Sequence, residues 1–140
     1  MPHLVILYTG NLDLPAAQGG SDMKALCRKL ADTMLAARDE QGKQVFPTGG
    51  TRVLAFPAAH YAVADGQRDY AFVYLNLRMG TGRTAATQQR AGDAVLATAK
   101  AHFDPLMATR LIGVTVQVDE STGQVYDGKH SNLHPLLNKA

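Results

Sequence analysis

The stretch YAFVYLNL, residues Tyr70–Leu77, decides the fold because it alternates over its whole length. Aromatic and amide side chains recur at every second position, and small or aliphatic side chains occupy the positions between them. A period of two predicts a β-strand. Both faces carry apolar groups. We therefore expect helices to cover one face of the sheet and a partner subunit to cover the other.

The chain before this strand reads as strand, helix, strand. Residues His3–Tyr8 are short, branched and apolar, which is typical of a buried strand. Apolar residues at helical spacing predict a helix over about 22–41 that ends near Gly42. A second strand is predicted over Arg52–Phe56, with an extension through residues 61–63. The first half of the chain is thus a β-α-β unit.

The same order follows the central strand. Thr84 is a suitable N-cap for a second helix, which we expect to end near Phe103 because a proline disfavours helical geometry in the residue before it. Leu111–Val118 alternates as a fourth strand. Residues 130–140 are predicted to form an extended tail or a short helix.

Two β-α-β units joined in sequence predict an α+β, two-layer sandwich. The halves span about 2–63 and 68–120, with a C-terminal tail over 121–140, and together they form a single domain over 1–140. Right-handed crossovers place both helices on one face of a four-stranded mixed sheet. The apolar face left open predicts an oligomer.

Composition excludes several functional classes. The 140 residues include 14 basic and 12 acidic side chains, a formal net charge of +2 that is too small and scattered for a nucleic-acid or membrane-surface partner. The sequence shows neither a signal peptide nor an apolar run long enough to span a membrane, so we expect a soluble, cytoplasmic protein. Cys27 is the sole cysteine, which excludes an internal disulfide and the cysteine-based zinc motifs.

Other reactive side chains give weak signals. His102, His130 and His134 lack metal-ligand spacing, so no metal site is predicted, and all five histidines are interpreted as surface or interface residues. Arg28 and Lys29 follow Cys27 and favour a lowered thiol pKa. A partly buried helix residue without chemistry is the favoured interpretation of that cysteine.

Pro2 is the first candidate for chemistry. Methionine is normally removed before a small residue, and loss of Met1 would make the Pro2 nitrogen a secondary amine. An α-amino group has a pKa near 8 in water, and burial or nearby cations lower it. A neutral amine at pH 7 is a competent general base. Such a base contributes on the order of 10²–10⁴ in rate.

Two arginines strengthen this hypothesis. Arg52 follows a Gly-rich turn and opens the second strand, and Arg83 follows Gly80-x-Gly82 and precedes the second helix. Side chains at element boundaries often converge on a pocket, and guanidinium groups suit bidentate carboxylate binding. The alternative is a pair of surface arginines in weak ion pairs.

These features occur together with longer motifs, and the chain resembles the 5-carboxymethyl-2-hydroxymuconate Δ-isomerases of the tautomerase superfamily. The resemblance covers nearly the whole chain. Its carriers are Met1-Pro2-His3, Phe46-Pro47 with Gly50-x-Arg52, the run from Ala64 to Val73 containing Asp-Gly-Gln-x-Asp-Tyr-Ala-Phe-Val, Gly80-x-Gly82-Arg83, His102-Phe103, Arg110-Leu111 and Asn132-Leu133-His134.

The resemblance implies a cofactor-free keto–enol tautomerisation in the bacterial breakdown of homoprotocatechuate, carried out by a homotrimer. It implies that Pro2 is the base or proton shuttle and that Arg52 and Arg83 hold a polycarboxylate substrate. The segments 12–45 and 121–129 depart from the family pattern. Two alternatives remain open: a tautomerase of another dicarboxylate or 2-oxo acid, and a trimeric binding protein without turnover.

Overall fold

The computed structural model describes residues 2–138. Four strands, three α-helices and several 3-10 turns follow one another along the chain. They are β1 (His3–Thr9), α1 (Met23–Ala36), β2 (Arg52–Ala58), β3 (Tyr70–Gly80), α2 (Ala85–Met107), β4 (Leu111–Ser121) and α3 (Leu133–Leu137), with 3-10 turns at Gly10–Asp13, Ala16–Gln18 and Thr48–Gly50.

The four strands form one mixed sheet in the order β2-β1-β3-β4. β1 pairs in parallel with β2, and β3 pairs in parallel with β4. The two central strands, β1 and β3, are antiparallel, with His3 opposite Arg78 and Tyr8 opposite Val73. The predicted α+β sandwich of two β-α-β units is confirmed, since each unit supplies one central and one edge strand.

The core lies between the sheet and helices α1 and α2. Alternate residues of β1 and β3 are buried there, and they meet one stripe of each helix in a single cluster. From α1 the stripe is Leu26, Leu30 and Met34, and from α2 it is Ala91, Val95, Ala99 and Phe103. Helical spacing places these side chains on one side of each helix, so both helices cover the same face.

The opposite face of the sheet is open in the single chain and carries large apolar side chains. Leu7 is 49% exposed, Leu54 47% and Phe56 50%. On β1, Leu7 lies between the buried Ile6 and Tyr8, and on β2, Leu54 lies between the partly buried Val53 and Ala55. Such a face is unusual for a monomer, because contiguous exposed apolar surface marks an interaction site.

Two predictions in the first half are wrong. Helix α1 ends at Ala36 rather than near Gly42, because Asp39 accepts hydrogen bonds from the backbone N–H groups of Gln41 and Lys43 and folds a tight loop instead. Arg38 and Gln44 form an isolated bridge across that loop. The extension of β2 through residues 61–63 is absent, since the strand ends at Ala58.

The predicted end of α2 near Phe103 is also wrong. The helix continues through Pro105 to Met107. A proline in the last turn removes one intrahelical hydrogen bond, and the partly buried Leu106 packs against the core beyond it. In the tail, α3 confirms the short helix that was one of the two predicted forms. No helix among residues 2–138 is long and apolar enough to cross a membrane.

Candidate active site

Pro2 lies at the end of the sheet where both candidate arginines are introduced. It is buried and immediately precedes β1, whose first residue, His3, pairs with Arg52 on β2 and with Arg78 on β3. Arg83 follows the end of β3 by three residues. Sheet topology therefore brings the three predicted site residues, distant in sequence, to one edge of the fold.

Arg83 is held in a defined orientation by the backbone. Its Nη1 donates to the carbonyl of Gly80 at 3.2 Å, and its Nη2 donates to the carbonyl of Val45 at 2.9 Å. The guanidinium carbon lies 5.4 Å from the ring centroid of the fully buried Phe46. Burial lowers the pKa of the Arg83 guanidinium, which still stays charged at neutral pH. Among residues 2–138, two of its five N–H donors are used, and three are left for other acceptors.

Arg52 is held differently. Its Nε donates to the carbonyl of Gly50 at 3.3 Å, within the turn that leads into β2. The side chain is half-buried and lines two cavities, one against the C-terminal tail and one against α1. The turn at Thr48–Gly50 thus places Arg52 at the border of these two cavities.

Sequence reasoning singled out Arg52 but neither His3 nor Arg78, which lie beside it. The pKa of His3 is lowered by burial, then by the positive charge of Arg52 and, more weakly, by that of Arg78. Strand pairing places these three residues side by side, so their side chains share the open face of the sheet. Arg78 Nη2 also donates to Ser121 Oγ at 3.1 Å. The proximity of these three residues could be recognised only from the strand register.

The two arginines line separate cavities in the single chain. Arg83 borders a cavity of about 360 Å³ together with Glu40 and the N-terminus of α2. Arg52 borders cavities of about 460 and 470 Å³. Pro2 is not among the lining residues of any of these three. Within residues 2–138, the fold therefore gathers the predicted residues at one edge, and none of these three cavities is lined by all of them.

Two further reactive side chains, His102 and Cys27, have structural roles. Lys29 Nζ approaches His102 Nδ1 at 3.2 Å, and His102 Nε2 lies 2.8 Å from Ser21 Oγ. Because an ammonium only donates, Nδ1 accepts from Lys29 and the Nε2–H group donates to Ser21, so in this tautomer Nε2 cannot take the proton of the Ser21 hydroxyl. His102 is partly buried and joins the loop before α1 to α2, which is compatible with its interpretation as a polar surface residue. Burial raises the pKa of the Cys27 thiol, so the lowered value suggested by its basic neighbours is wrong.

A metal centre has no donor set in the part of the chain described. Among residues 2–138, no three or more histidine, cysteine, aspartate or glutamate side chains are grouped closely enough to hold an ion. The Pro2 edge instead holds three arginines, Arg52, Arg78 and Arg83, together with acidic neighbours: Asp39 and Glu40 line the Arg83 cavity, and Asp119 lies opposite Arg78. Guanidinium groups suit a ligand that carries carboxylates.

Comparison with known protein families gives a match along almost the whole chain. The family model described as 5-carboxymethyl-2-hydroxymuconate isomerase matches residues 2–137. This chain belongs to that family. It is therefore an isomerase, as the sequence motifs predicted.

Individual relatives are similar over almost their whole length. A 5-carboxymethyl-2-hydroxymuconate Delta-isomerase from Escherichia coli is 30% identical over 137 residues, which is 98% of this chain and 99% of the relative. A crystal structure of a protein with the same name is 54% identical, with a TM-score of 0.90, and the match covers 100% of this chain and 95% of that one.

A crystal structure of a 5-carboxymethyl-2-hydroxymuconate isomerase from Deinococcus radiodurans R1 is 32% identical with a TM-score of 0.81. That match covers 99% of this chain and 95% of the other. Malonate semialdehyde decarboxylase, at 13% identity and a TM-score of 0.53 over 95% of each chain, shares the fold alone. The chain therefore has the same fold as that decarboxylase.

Proposed function

We propose that this isomerase converts the dienol 5-carboxymethyl-2-hydroxymuconate, or a closely similar polycarboxylate, to its 2-oxo tautomer without a cofactor. The substrate class is supported by the full-length family match together with the cationic edge at Pro2. Residues 1–140 are taken as one tautomerase-like domain that acts in the cytoplasm.

The proposed base is the Pro2 nitrogen, freed by removal of Met1, which lies outside the described residues. The nitrogen takes the proton of the 2-hydroxyl group as the O–H bond breaks, and the oxygen becomes a carbonyl. The electrons of the dienol shift along the conjugated chain, and the same nitrogen returns the proton to carbon. One proton moves and nothing is oxidised or reduced, so no cofactor is required.

The two arginines have complementary proposed roles. Each has N–H donors suited to a carboxylate, and their charge stabilises the dienolate that develops in the transition state. The same charges, together with the burial of Pro2, lower the pKa of the amine. The amine is then neutral at pH 7 and able to accept a proton. The observation that carries this proposal is the convergence of Pro2, Arg52 and Arg83 at one edge of the sheet.

The working form is proposed to be a homotrimer. In one chain the arginines line separate cavities, and the apolar face of the sheet lies open beside them. Packing of that face against neighbouring subunits would bury Leu7, Leu54 and Phe56 and complete the pocket around Pro2. Sedimentation analysis tests this assembly, and a monomer at micromolar concentration would contradict it.

The decisive experiment combines mass and activity. Mass spectrometry of the purified protein should show the loss of one methionine. The processed protein should then ketonise 5-carboxymethyl-2-hydroxymuconate. The reaction is monitored by the loss of the ultraviolet absorption of this substrate. Turnover only of another dicarboxylate or a 2-oxo acid would redirect the substrate assignment. Absence of turnover with all of them would favour a ligand-binding protein.

A further inference from the structure

The loop that follows α1 carries one of the two carbonyls that orient Arg83. Residues 37–45, the 37–45 loop, fold back on themselves, since the Val45 backbone N–H donates to the carbonyl of Ala37 at 3.0 Å. The Val45 carbonyl, at the end of this loop, accepts a hydrogen bond from Arg83 Nη2 at 2.9 Å. The orientation of the guanidinium group therefore depends on where the 37–45 loop lies.

Glu40, at the tip of the 37–45 loop, is bound to the start of α2. Its Oε1 accepts hydrogen bonds from the hydroxyl of Thr84 and from that of Thr87, the latter at 2.9 Å. Arg90 Nη2 lies 3.8 Å from the same oxygen. The hydrogen bond from Thr84 is the largest cause of the lowered pKa of the Glu40 carboxyl group, which is ionised at neutral pH. The side chain of Glu40 thus fastens the loop to the first turns of the helix.

These contacts close a ring of interactions that contains Arg83. Thr84 follows Arg83 directly in the chain and is the N-cap of α2. From Thr84 the ring passes through Glu40 and the 37–45 loop to the Val45 carbonyl, which contacts the Arg83 guanidinium. Arg90 adds a longer hydrogen bond of 3.4 Å to the loop, at the carbonyl of Arg38. Without the Glu40 carboxylate, the loop would depend on that longer contact to stay beside α2.

We propose that Glu40 is a positioning residue for the isomerase reaction, because it docks the 37–45 loop on α2 and so lets the Val45 carbonyl hold Arg83 in the orientation that transition-state stabilisation requires. This inference rests on the proposed function, which gives Arg83 its role. Glu40 lies outside the motifs that carry the family resemblance, in the segment 12–45. Donors that are already oriented stabilise developing charge without reorganisation during the reaction.

The kinetic test separates positioning from a general loss of stability. Glu40→Ala should lower kcat for 5-carboxymethyl-2-hydroxymuconate roughly tenfold and leave KM unchanged, because the lost orientation matters in the transition state. Glu40→Gln keeps an oxygen acceptor for both hydroxyls and should recover most of kcat. Asp22→Ala is the matched control, since Asp22 caps the far end of α1 by accepting from the Ala25 N–H at 3.0 Å. It should lower Tm to a similar extent and leave kcat unchanged.

A double variant shows whether Glu40 acts through Arg83. In the Arg83→Ala background, Glu40→Ala should cause no further loss of kcat, because the group that it positions is absent. The same loss in both backgrounds would overturn the inference and leave the isomerase intact. An unchanged kcat in Glu40→Ala, an equal loss in Asp22→Ala, or a Glu40→Gln variant as slow as Glu40→Ala would also overturn it.

A measurement without turnover keeps this inference separate from the proposed function. The guanidinium N–H signals of Arg83, assigned by their absence in Arg83→Ala, are followed by ¹⁵N NMR. A hydrogen-bonded N–H exchanges with solvent only when its contact opens, so Glu40→Ala should speed this exchange and Asp22→Ala should not. Unchanged exchange in Glu40→Ala would overturn the positioning role. If the wild-type protein showed no turnover, the proposed function would fail, and the exchange rates alone would decide whether Glu40 positions Arg83.

Discussion

Arg52 and Arg83 follow similar Gly-rich turns, yet their guanidinium groups make different contacts. Arg83 donates to two backbone carbonyls and lies over Phe46, so its direction is fixed before any ligand arrives. Arg52 donates to the carbonyl of Gly50 and borders two cavities. The difference teaches that two arginines with the same sequence context need not share a role. We therefore predict that Arg83 stabilises the charge that develops in the transition state and that Arg52 binds a substrate carboxylate.

The largest expected effect is that of replacing Pro2, the residue that lies at the same edge of the sheet as both arginines. Pro2→Ala should lower kcat by roughly 10²–10⁴-fold, because the positioned general base loses its ring geometry and secondary-amine basicity. Steady-state ketonisation kinetics give the value. Circular dichroism should show an unchanged fold, since Pro2 precedes β1 and donates no sheet hydrogen bond. Full turnover by the processed variant would sink the proline-base mechanism.

The next effect separates the two arginines directly. Arg83→Ala should lower kcat and also reduce the free energy of unfolding by about 1–3 kcal/mol, because the Gly80 and Val45 carbonyls lose a charged donor. Arg52→Ala should chiefly raise KM, by roughly 10- to 100-fold for a lost charged hydrogen bond. Kinetics and urea unfolding of both variants provide the measurements. If both variants showed the same decrease in kcat and the same increase in KM, the two arginines would not differ in role. Arg83→Lys keeps the positive charge and serves as the control for charge alone.

The smallest effect concerns the charge around His3. Since Arg52 lowers the pKa of His3, Arg52→Ala should raise that pKa toward its ordinary value of about 6.5. Arg83→Ala should leave it unchanged, because Arg83 is not among the charges that act on His3. An NMR titration of the His3 ring in the three proteins distinguishes them. An equal shift in both variants would mean that the two arginines act on one shared site.

The same shift has a defined sign for stability. A histidine whose pKa is lower in the folded state takes up protons more readily when unfolded. Its contribution to stability is therefore present above the unfolded pKa and is lost as the pH falls through that value toward the folded one. His3 and His102 both have lowered pKa values, so both act in this direction.

The sequence by itself determined the element order and the site candidates. Alternation in Tyr70–Leu77 and helical spacing in Leu26, Leu30 and Met34 are local patterns that depend on the neighbouring residues alone. They fixed the two β-α-β units and hence the sandwich. Motifs around Pro2, Arg52 and Arg83 identified the family for the same reason, because each motif is contiguous or nearly so. The roles of those three residues remain predictions.

Only the tertiary structure decided where helices end and what the site residues face. Helix α1 ends early because the Asp39 side chain captures backbone N–H groups, and α2 passes Pro105 because Leu106 packs on the core. The contact of Arg83 with Val45, the cations around His3 and the docking of His134 beside Gly49 each join segments far apart in the chain. Such contacts depend on strand register and packing, which no local pattern encodes.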